Sequence, residues 1–445
     1  MPVPKVYDWC SHADRTPVQA EYIIMEKANG VLLSTILPKM DIKKRWAIAR
    51  VVADYQIQWA DAPWEAYGSL YYRADVAANN YAASDVQGTH LERFVIGPTT
   101  ARTYNERGKI SVKCDLGPCT TVPSPTTSAK DEADTTVGNS ALDYFKAIGE
   151  RELASINQLD LSLRPPISIF GPGVYESNKR RKIKAAESYL DVLPLLMPKD
   201  PDLLKPCLWH PDLHDENIFV SPDDQTEVMA IIDWQSVEIA PLLSQAGKPP
   251  FIAHKGPQAT GLDRPQLPSG FESLPKNEQR QAQDLWLKQS LVVLYNTLIS
   301  QRSPKLWQCM EYQRTLEYQS LSVANIILFE GEATCLRMIL DLLESHEDVM
   351  EDDTLNAASR RRLWALISNR DLIRKDAQDA ERAVEVMAEV RSIMGELYPL
   401  HGQVSHGRYH ETKEALRKMK EQIIGQYAQT EQDRLAWQRA WPFDD

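Results

Sequence analysis

Apolar and polar positions alternate twice near the start of the chain, over 3–9 and over 20–26 ("AEYIIME"), with the turn-rich "SHADRTP" between them. A period of two predicts two strands joined across that turn. From residue 41 the period lengthens. Ile42, Trp46, Ala49, Ala53, Ile57 and Ala60 recur at helical spacing behind Asp41, a suitable N-cap. Residues 114–140, "CDLGPCTTVPSPTTSAKDEADTTVGNS", are poor in apolar side chains and rich in Pro, Thr and Asp. They read as a surface excursion, because helical patterns resume on either side. Residues 244–281 form a second Pro- and Gly-rich stretch. Beyond it, helical patterns cover 282–301, 307–345, 355–371, 376–397 and 409–437, and Ala383, Met387, Val390, Met394 and Leu397 make one apolar face. No internal repeat shows. A small β piece, a helix-rich body and one loop-and-strand unit at 207–234 predict an α+β fold.

Composition narrows the class. The chain has 445 residues, 43% hydrophobic and 25% charged, enough for a large core and more than one subdomain. The net charge of −12 argues against a general nucleic-acid groove. Cys10, Cys114, Cys119, Cys207, Cys309 and Cys335 are scattered without a C-x-x-C pair or zinc-like spacing, so they read as free thiols in a reducing compartment. No apolar run reaches the ~18 residues of a membrane span; "SLVVLYNTLI" at 290–299 is too short. The first residues carry neither a hydrophobic signal core nor an Arg-rich amphipathic presequence, and "MPVPKVYDW" already reads as structured sequence.

Chemistry concentrates in 207–235, "CLWHPDLHDENIFVSPDDQTEVMAIIDWQ". Phosphoryl transfer from ATP needs a carboxylate beside the acceptor hydroxyl, and hard oxygen donors to hold Mg²⁺ against the phosphates. His210, Asp212 and Asn217 have the spacing H-x-D-x-x-x-x-N of a kinase catalytic loop. Five positions allow the loop to curl and aim Asp212 and Asn217 into one cleft. "IFV" (218–220) then predicts a short strand, and "EVMAIID" (227–233) an apolar strand that delivers Asp233 at its end. The plain alternative is a solvated loop of turn-forming polar residues.

"HPDLHDENIFV…AIIDWQ" resembles the signature of aminoglycoside phosphotransferase-type enzymes, which share the bilobal protein-kinase-like fold. "PVPKVYDW", "EYIIMEKANGV", "YGSLYY", "IDWQSVEIAPLL" and the closing "WPF" are similar to fungal altered-inheritance-of-mitochondria phosphotransferase-like proteins. The likeness runs along essentially the whole chain and is weakest over 75–140. It implies that Asp212 is the catalytic base, that Asn217 and Asp233 hold Mg²⁺, and that His210 keeps the loop in shape. His214 matches a histidine that either approaches the phosphates or substrate or stabilises the loop by a hydrogen bond. Trp234 stands in the aromatic place of the kinase Asp-Phe-Gly element, with Gln235 where glycine would be. "IIMEKANG" (23–30) resembles the hinge between lobes, with adenine bonding the backbone around Glu26, Lys27 and Ala28; the alternative is an edge strand entering a turn at Asn29-Gly30.

The resemblance also predicts what the chain as written lacks. A kinase-like nucleotide lobe carries a Gly-rich strand–turn–strand, a lysine and a helical glutamate ahead of the hinge. About 22 residues precede the hinge here, and Lys5 in "VPKV" falls in the fourth-strand region. "GPGVYES" (171–177) lies in the wrong place and lacks a third glycine, so it reads as a loop. The expected organisation is therefore a remnant of the nucleotide lobe and hinge at 1–29 and a helical catalytic and substrate lobe at 30–445. That predicts exposed apolar strand surface from "VPKVYDW" and "AEYIIME". The function expected is an ATP- and Mg²⁺-dependent phosphotransferase acting on a small-molecule hydroxyl, inactive without its Gly-rich loop and lysine. The alternative is a non-catalytic, kinase-like binding or scaffold protein. The resemblance places it in mitochondria, the missing presequence in the cytoplasm. Neither acceptor nor oligomeric state is legible.

Overall fold

The computed structural model describes residues 1–79, 83–86, 92–101, 104, 108–112, 140–161, 177–254, 256–352, 354–398 and 406–441. The excursion expected at 114–140 and the loop at 171–177 lie outside these residues except for Ser140 and Ser177, as do Cys114 and Cys119. The fold is α+β. It divides into two compact units. Among the described residues the first draws on 1–101, 140–141 and 198–314 and the second on 104–112, 142–197 and 315–441. The lobe boundary expected near residue 29 is a different kind of division and falls within the first unit.

The first unit holds the strands. β1 (Val6–Cys10) and β2 (Tyr22–Met25) pair antiparallel, with Trp9 opposite Ile23, so the two alternating runs form one hairpin. Its apolar side chains are largely exposed, as the sequence predicts. β3 (Val31–Leu32) follows. The helix Ile42–Asp61 starts where expected, the Asp41 carboxylate accepting from the Lys44 amide at 2.9 Å. Ala49, Ala53, Ile57 and Ala60 are buried as the spacing predicts, and Ile48, Val52 and Trp59 with them. Burying a side chain the size of Ile48 is worth about 1.5–3 kcal/mol. The helix packs along Lys276–Arg302, where the Tyr295 hydroxyl donates to Gln56 Oε1 at 2.7 Å.

β4 (Ser69–Tyr72), β5 (Ser84–Asp85) and β6 (Phe94–Gly97) form a sheet in the order β4-β6-β5. Strands of two to four residues are too short for alternation to reveal, so the helix-rich reading of this region missed them. β7 (Pro206–Leu208), β8 (Ile218–Val220), β9 (Val228–Ile231) and β10 (Ile239–Pro241) frame the polar loop. β7 pairs with β10, Leu208 opposite Ile239, while β8 lies between β3 and β9. The chain thus enters the loop, returns through a hairpin and leaves beside the strand by which it entered.

The second unit is helical among its described residues, with Lys179–Val192, Glu332–Ser345 and Arg370–Met394 packed in succession. The expected helix over 307–345 is broken. Pieces run over Pro304–Tyr312, Leu316–Ser322 and Glu332–Ser345, with a π-turn at Ile327–Gly331. Two devices break it, one local and one distant in sequence. The Thr315 hydroxyl accepts from the Tyr318 amide and starts a new helix, and the Lys182 ammonium, from another helix, takes the Ile327 and Phe329 carbonyls. The run expected over 409–437 also divides, into Tyr409–Tyr427 and Glu431–Ala440, because Ala428 turns extended. Val390, Ile423 and Trp437 are buried in one apolar cluster joining these last helices.

Candidate active site

The loop after β7 is fixed by its own side chains. His210, 2% exposed, accepts the Asp212 amide on Nδ1 at 3.1 Å. Its Nε2 must then carry the proton and donate to the Ile232 carbonyl at 2.8 Å. One neutral ring thereby ties the loop to the chain leaving β9. Burial pushes its pKa down, against the upward pull of the Ile232 bond and of the Asp233 and Asp212 carboxylates. Both carboxylates therefore lie within electrostatic reach of one imidazole.

Asn217, also buried, gives its Nδ2 to the Asp212 carbonyl at 2.9 Å. Its own carbonyl accepts from the Ile232 amide at 3.0 Å, the second tie between loop and β9 exit. With the amide nitrogen spent, Oδ1 is the atom left to face a cation. His214 caps the 3-10 turn Asp215–Asn217, Nδ1 accepting from the Glu216 amide at 3.1 Å. Its Nε2 lies 3.3 Å from Asp212 Oδ2, an ion-pair distance, and 3.4 Å from Asn217 Nδ2. The hydrogen bond from the Glu216 amide is a loop-stabilising contact, and it leaves the ring beside Asp212. The Asp212 side chain is 60% exposed and Asp233 is exposed. Carboxylates in water keep the capacity to take a proton or a cation.

Asp233 departs from β9 with φ +65°, a left-handed conformation uncommon for a residue with a Cβ. Aromatic packing holds it there. Trp234 donates its indole N–H to the Ile231 carbonyl at 3.1 Å and sets its ring edge-on to Trp59 at 5.7 Å and His210 at 4.6 Å. Trp59 meets Trp209 in the same way at 5.3 Å. Trp59 and Trp209 were not singled out from the sequence; the helical spacing marks the face of Ile42–Asp61 that is buried, but not what it touches.

The expected hinge at Glu26, Lys27 and Ala28 follows β2 as exposed or half-buried chain without regular structure. The Glu26 amide donates to the Lys5 carbonyl at 2.7 Å, and its carboxylate accepts from the Lys5 amide at 3.3 Å. The Glu26 carbonyl and the Ala28 amide are the groups left for a planar ligand. Gly30 comes next with φ +101°, and a Cβ there would lie 2.3 Å from the Val220 carbonyl oxygen. Close approach, not the turn alone, requires glycine, and it brings the hinge against the strand that continues from Asn217.

Residues 162–245 match the family model described as the phosphotransferase enzyme family. The match contains every proposed loop residue and lies C-terminal to the hinge. A subtelomeric hrmA-associated cluster protein of Aspergillus fumigatus is 25% identical over the whole of this chain and 86% of its own length. The protein named altered inheritance of mitochondria protein 9, mitochondrial, is 24% identical in Kluyveromyces lactis, covering 68% of this chain and 49% of that relative. Its Lachancea thermotolerans counterpart is 24% identical over 74% of this chain and 55% of its own length. This chain thus spans about half the length of those mitochondrial relatives. No solved structure matches it.

Proposed function

We propose that this chain, a kinase-like phosphotransferase by the family domain at residues 162–245, moves a phosphoryl group from ATP to the hydroxyl of a small molecule. The observation that carries the reading is a buried Asn217 and a buried His210 locking a loop whose Asp212 carboxylate stays in water. Asp212 takes the proton of the acceptor hydroxyl, the His214 ring sits beside that carboxylate, and His210 holds the loop against the β9 exit. Asn217 Oδ1 and the Asp233 carboxylate suit Mg²⁺, which prefers hard oxygen donors, and phosphate and water oxygens would complete its octahedron. Bound ATP supplies the phosphoryl group and Mg²⁺ offsets its charge. The Glu26 carbonyl and Ala28 amide face adenine.

The second reading is a kinase-like binding protein without turnover, which would bind nucleotide through the same loop and transfer nothing. The names of the mitochondrial relatives support a mitochondrial location under either reading.

Calorimetry of residues 1–445 with a non-hydrolysable ATP analogue and Mg²⁺ tests both parts. Expected is Mg²⁺-dependent nucleotide binding that Asp233→Asn lowers at least ~10-fold, about the worth of one charge-assisted contact. Equal binding by the variant removes Asp233 from the site. No Mg²⁺-dependent binding of the analogue by the unaltered polypeptide overturns the nucleotide reading.

A further inference from the structure

The Pro- and Gly-rich chain that leads into the helix Lys276–Arg302 folds back along that helix. The Trp286 indole N–H donates to the Pro265 carbonyl at 2.8 Å, and Gln279 Nε2 donates to the Glu272 and Leu274 carbonyls at 3.1 and 2.9 Å. These bonds fix the wall of a cavity of about 480 Å³, within the size range of small-molecule sites. Lys276, Gln279, Arg280, Gln283 and Trp286 line it from the helix, spaced i, i+3, i+4, i+7 and i+10 on one face, and Leu267 and Phe271 line it from the returning chain. None of these residues belongs to the loop and strands of 207–235.

The lining is one-sided in charge. Among the described residues it holds two cations, Lys276 and Arg280, and no carboxylate, and neither cation makes an ion pair there. Asp284, four positions beyond Arg280, is taken by Lys288 at 2.6 Å. With its N–H spent on Pro265, Trp286 offers ring surface; with its amide hydrogens spent on the turn, Gln279 offers only Oε1. The donors that remain are the Lys276 ammonium, the Arg280 guanidinium and the Gln283 amide, beside the apolar Leu267, Phe271 and Trp286. We propose that this cavity binds a small aromatic phosphate monoester. Such a phosphate carries about −1.5 to −2 charges at neutral pH, which matches the two cations, and the planar fork of Arg280 suits two of its oxygens. An aromatic ring matches the rest of the lining, since aromatic side chains pair with other rings beyond what burial alone gives. An uncharged ring would leave the cations unanswered, and a bare anion would leave the apolar wall wet. A ligand with both parts uses the whole lining.

The test is calorimetry of the whole 445-residue chain with phenyl phosphate, without Mg²⁺ or nucleotide, beside phenol and inorganic phosphate as the two halves of the probe. Expected is saturable binding of phenyl phosphate at least ~10-fold tighter than of either half. Arg280→Gln should weaken it about 10-fold, the loss of one charge-assisted contact. Arg280 is exposed, so the change disturbs no core, and circular dichroism verifies that the variant folds. Asp233→Asn, in the candidate active site, should leave the dissociation constant where it was. No saturable binding overturns the proposal. Inorganic phosphate bound as tightly as phenyl phosphate overturns it too, since that marks a site for any anion. Unchanged binding in Arg280→Gln also overturns it, and if Asp233→Asn is then the variant that loses the probe, the probe sits at the loop.

Discussion

Around Lys182 in the second unit and around Asn217 in the first, charged and amide side chains gather against backbone carbonyls, yet the two clusters end differently. Lys182 donates to the Ile327 and Phe329 carbonyls and to Glu332, which is 0% exposed. Nearby, Glu152 accepts from the Leu328 amide and pairs with Lys109, and Arg151 donates to the Tyr104 carbonyl. Every one of these charges is buried, and the partners named here belong to the same unit. Burial raises the Glu152 pKa against the lowering pull of Lys109, the Leu328 amide and Lys182. In the first unit the amide and the imidazole are consumed by the chain in the same way, but the carboxylates they position remain in water. Polar groups saturated by their own fold shape the π-turn; polar groups that hold others outward are equipped for chemistry.

That contrast breaks most sharply on activity. Replacing Asp212 by Asn, in any form of the protein that turns over, should lower the rate by about 10²–10⁴-fold, the contribution of a general base. Stability should stay within ~0.5 kcal/mol, as for an exposed substitution. A large loss of stability would place Asp212 with the buried cluster instead. Lys182→Met inverts the pattern. It leaves a buried Glu332 without this cation and two π-turn carbonyls without their donor, which should cost about 3–5 kcal/mol, read from urea denaturation. A neutral result would show that the Ile327–Gly331 turn does not depend on Lys182.

A third variant probes what sets the loop against the hinge. Gly30→Ala puts a Cβ 2.3 Å from the Val220 carbonyl oxygen at a φ of +101°, and about 1–3 kcal/mol should be lost to strain. Gly261, with φ +73° and nothing within 4 Å of its Cβ position, is the control, and Gly261→Ala should cost less. Equal costs would assign the whole effect to φ and none to the approach.

The site was legible because its determinants are local. The spacing of His210, Asp212 and Asn217 and the apolar run before Asp233 sit within one short stretch, and hydrogen bonds between near neighbours close it. The hairpin and the Asp41 cap were legible for the same reason. What escaped depends on distant partners. Nothing around Lys182 in "KRRKIKAAES" announces that its ammonium reaches residues 327–332, so the break in the helix over 307–345 could not be foreseen. Trp59 reads as one more apolar position on a helix until Trp209 and Trp234 arrive against it. Gly30 read as a turn glycine, and its closeness to Val220 joins positions far apart in sequence.

The smallest effect expected concerns the proton on His210, and it separates the clusters by pH. Burial holds its folded pKa below the ordinary value, which in an unfolded chain is about 6.5. As pH falls through that value the unfolded chain takes up a proton before the folded one does. Stability should therefore be fully present above about pH 6.5 and decline from there down to the folded pKa, with a slope of no more than about 1.4 kcal/mol per pH unit. Protonation would also put a hydrogen on Nδ1, where the Asp212 amide now donates at 3.1 Å, so the loop bearing the exposed carboxylate loosens first. Carboxylates elsewhere add their own slopes, which makes the difference from a variant the quantity to measure. His210→Gln keeps a donor for the Ile232 carbonyl and removes the titration. Urea midpoints from about pH 8 down to about pH 5 should fall less steeply in the variant below pH ~6.5 and run parallel above it. Parallel curves throughout would mean that His210 titrates alike in both states, and the loop would then owe its shape to Asn217 and the tryptophans alone.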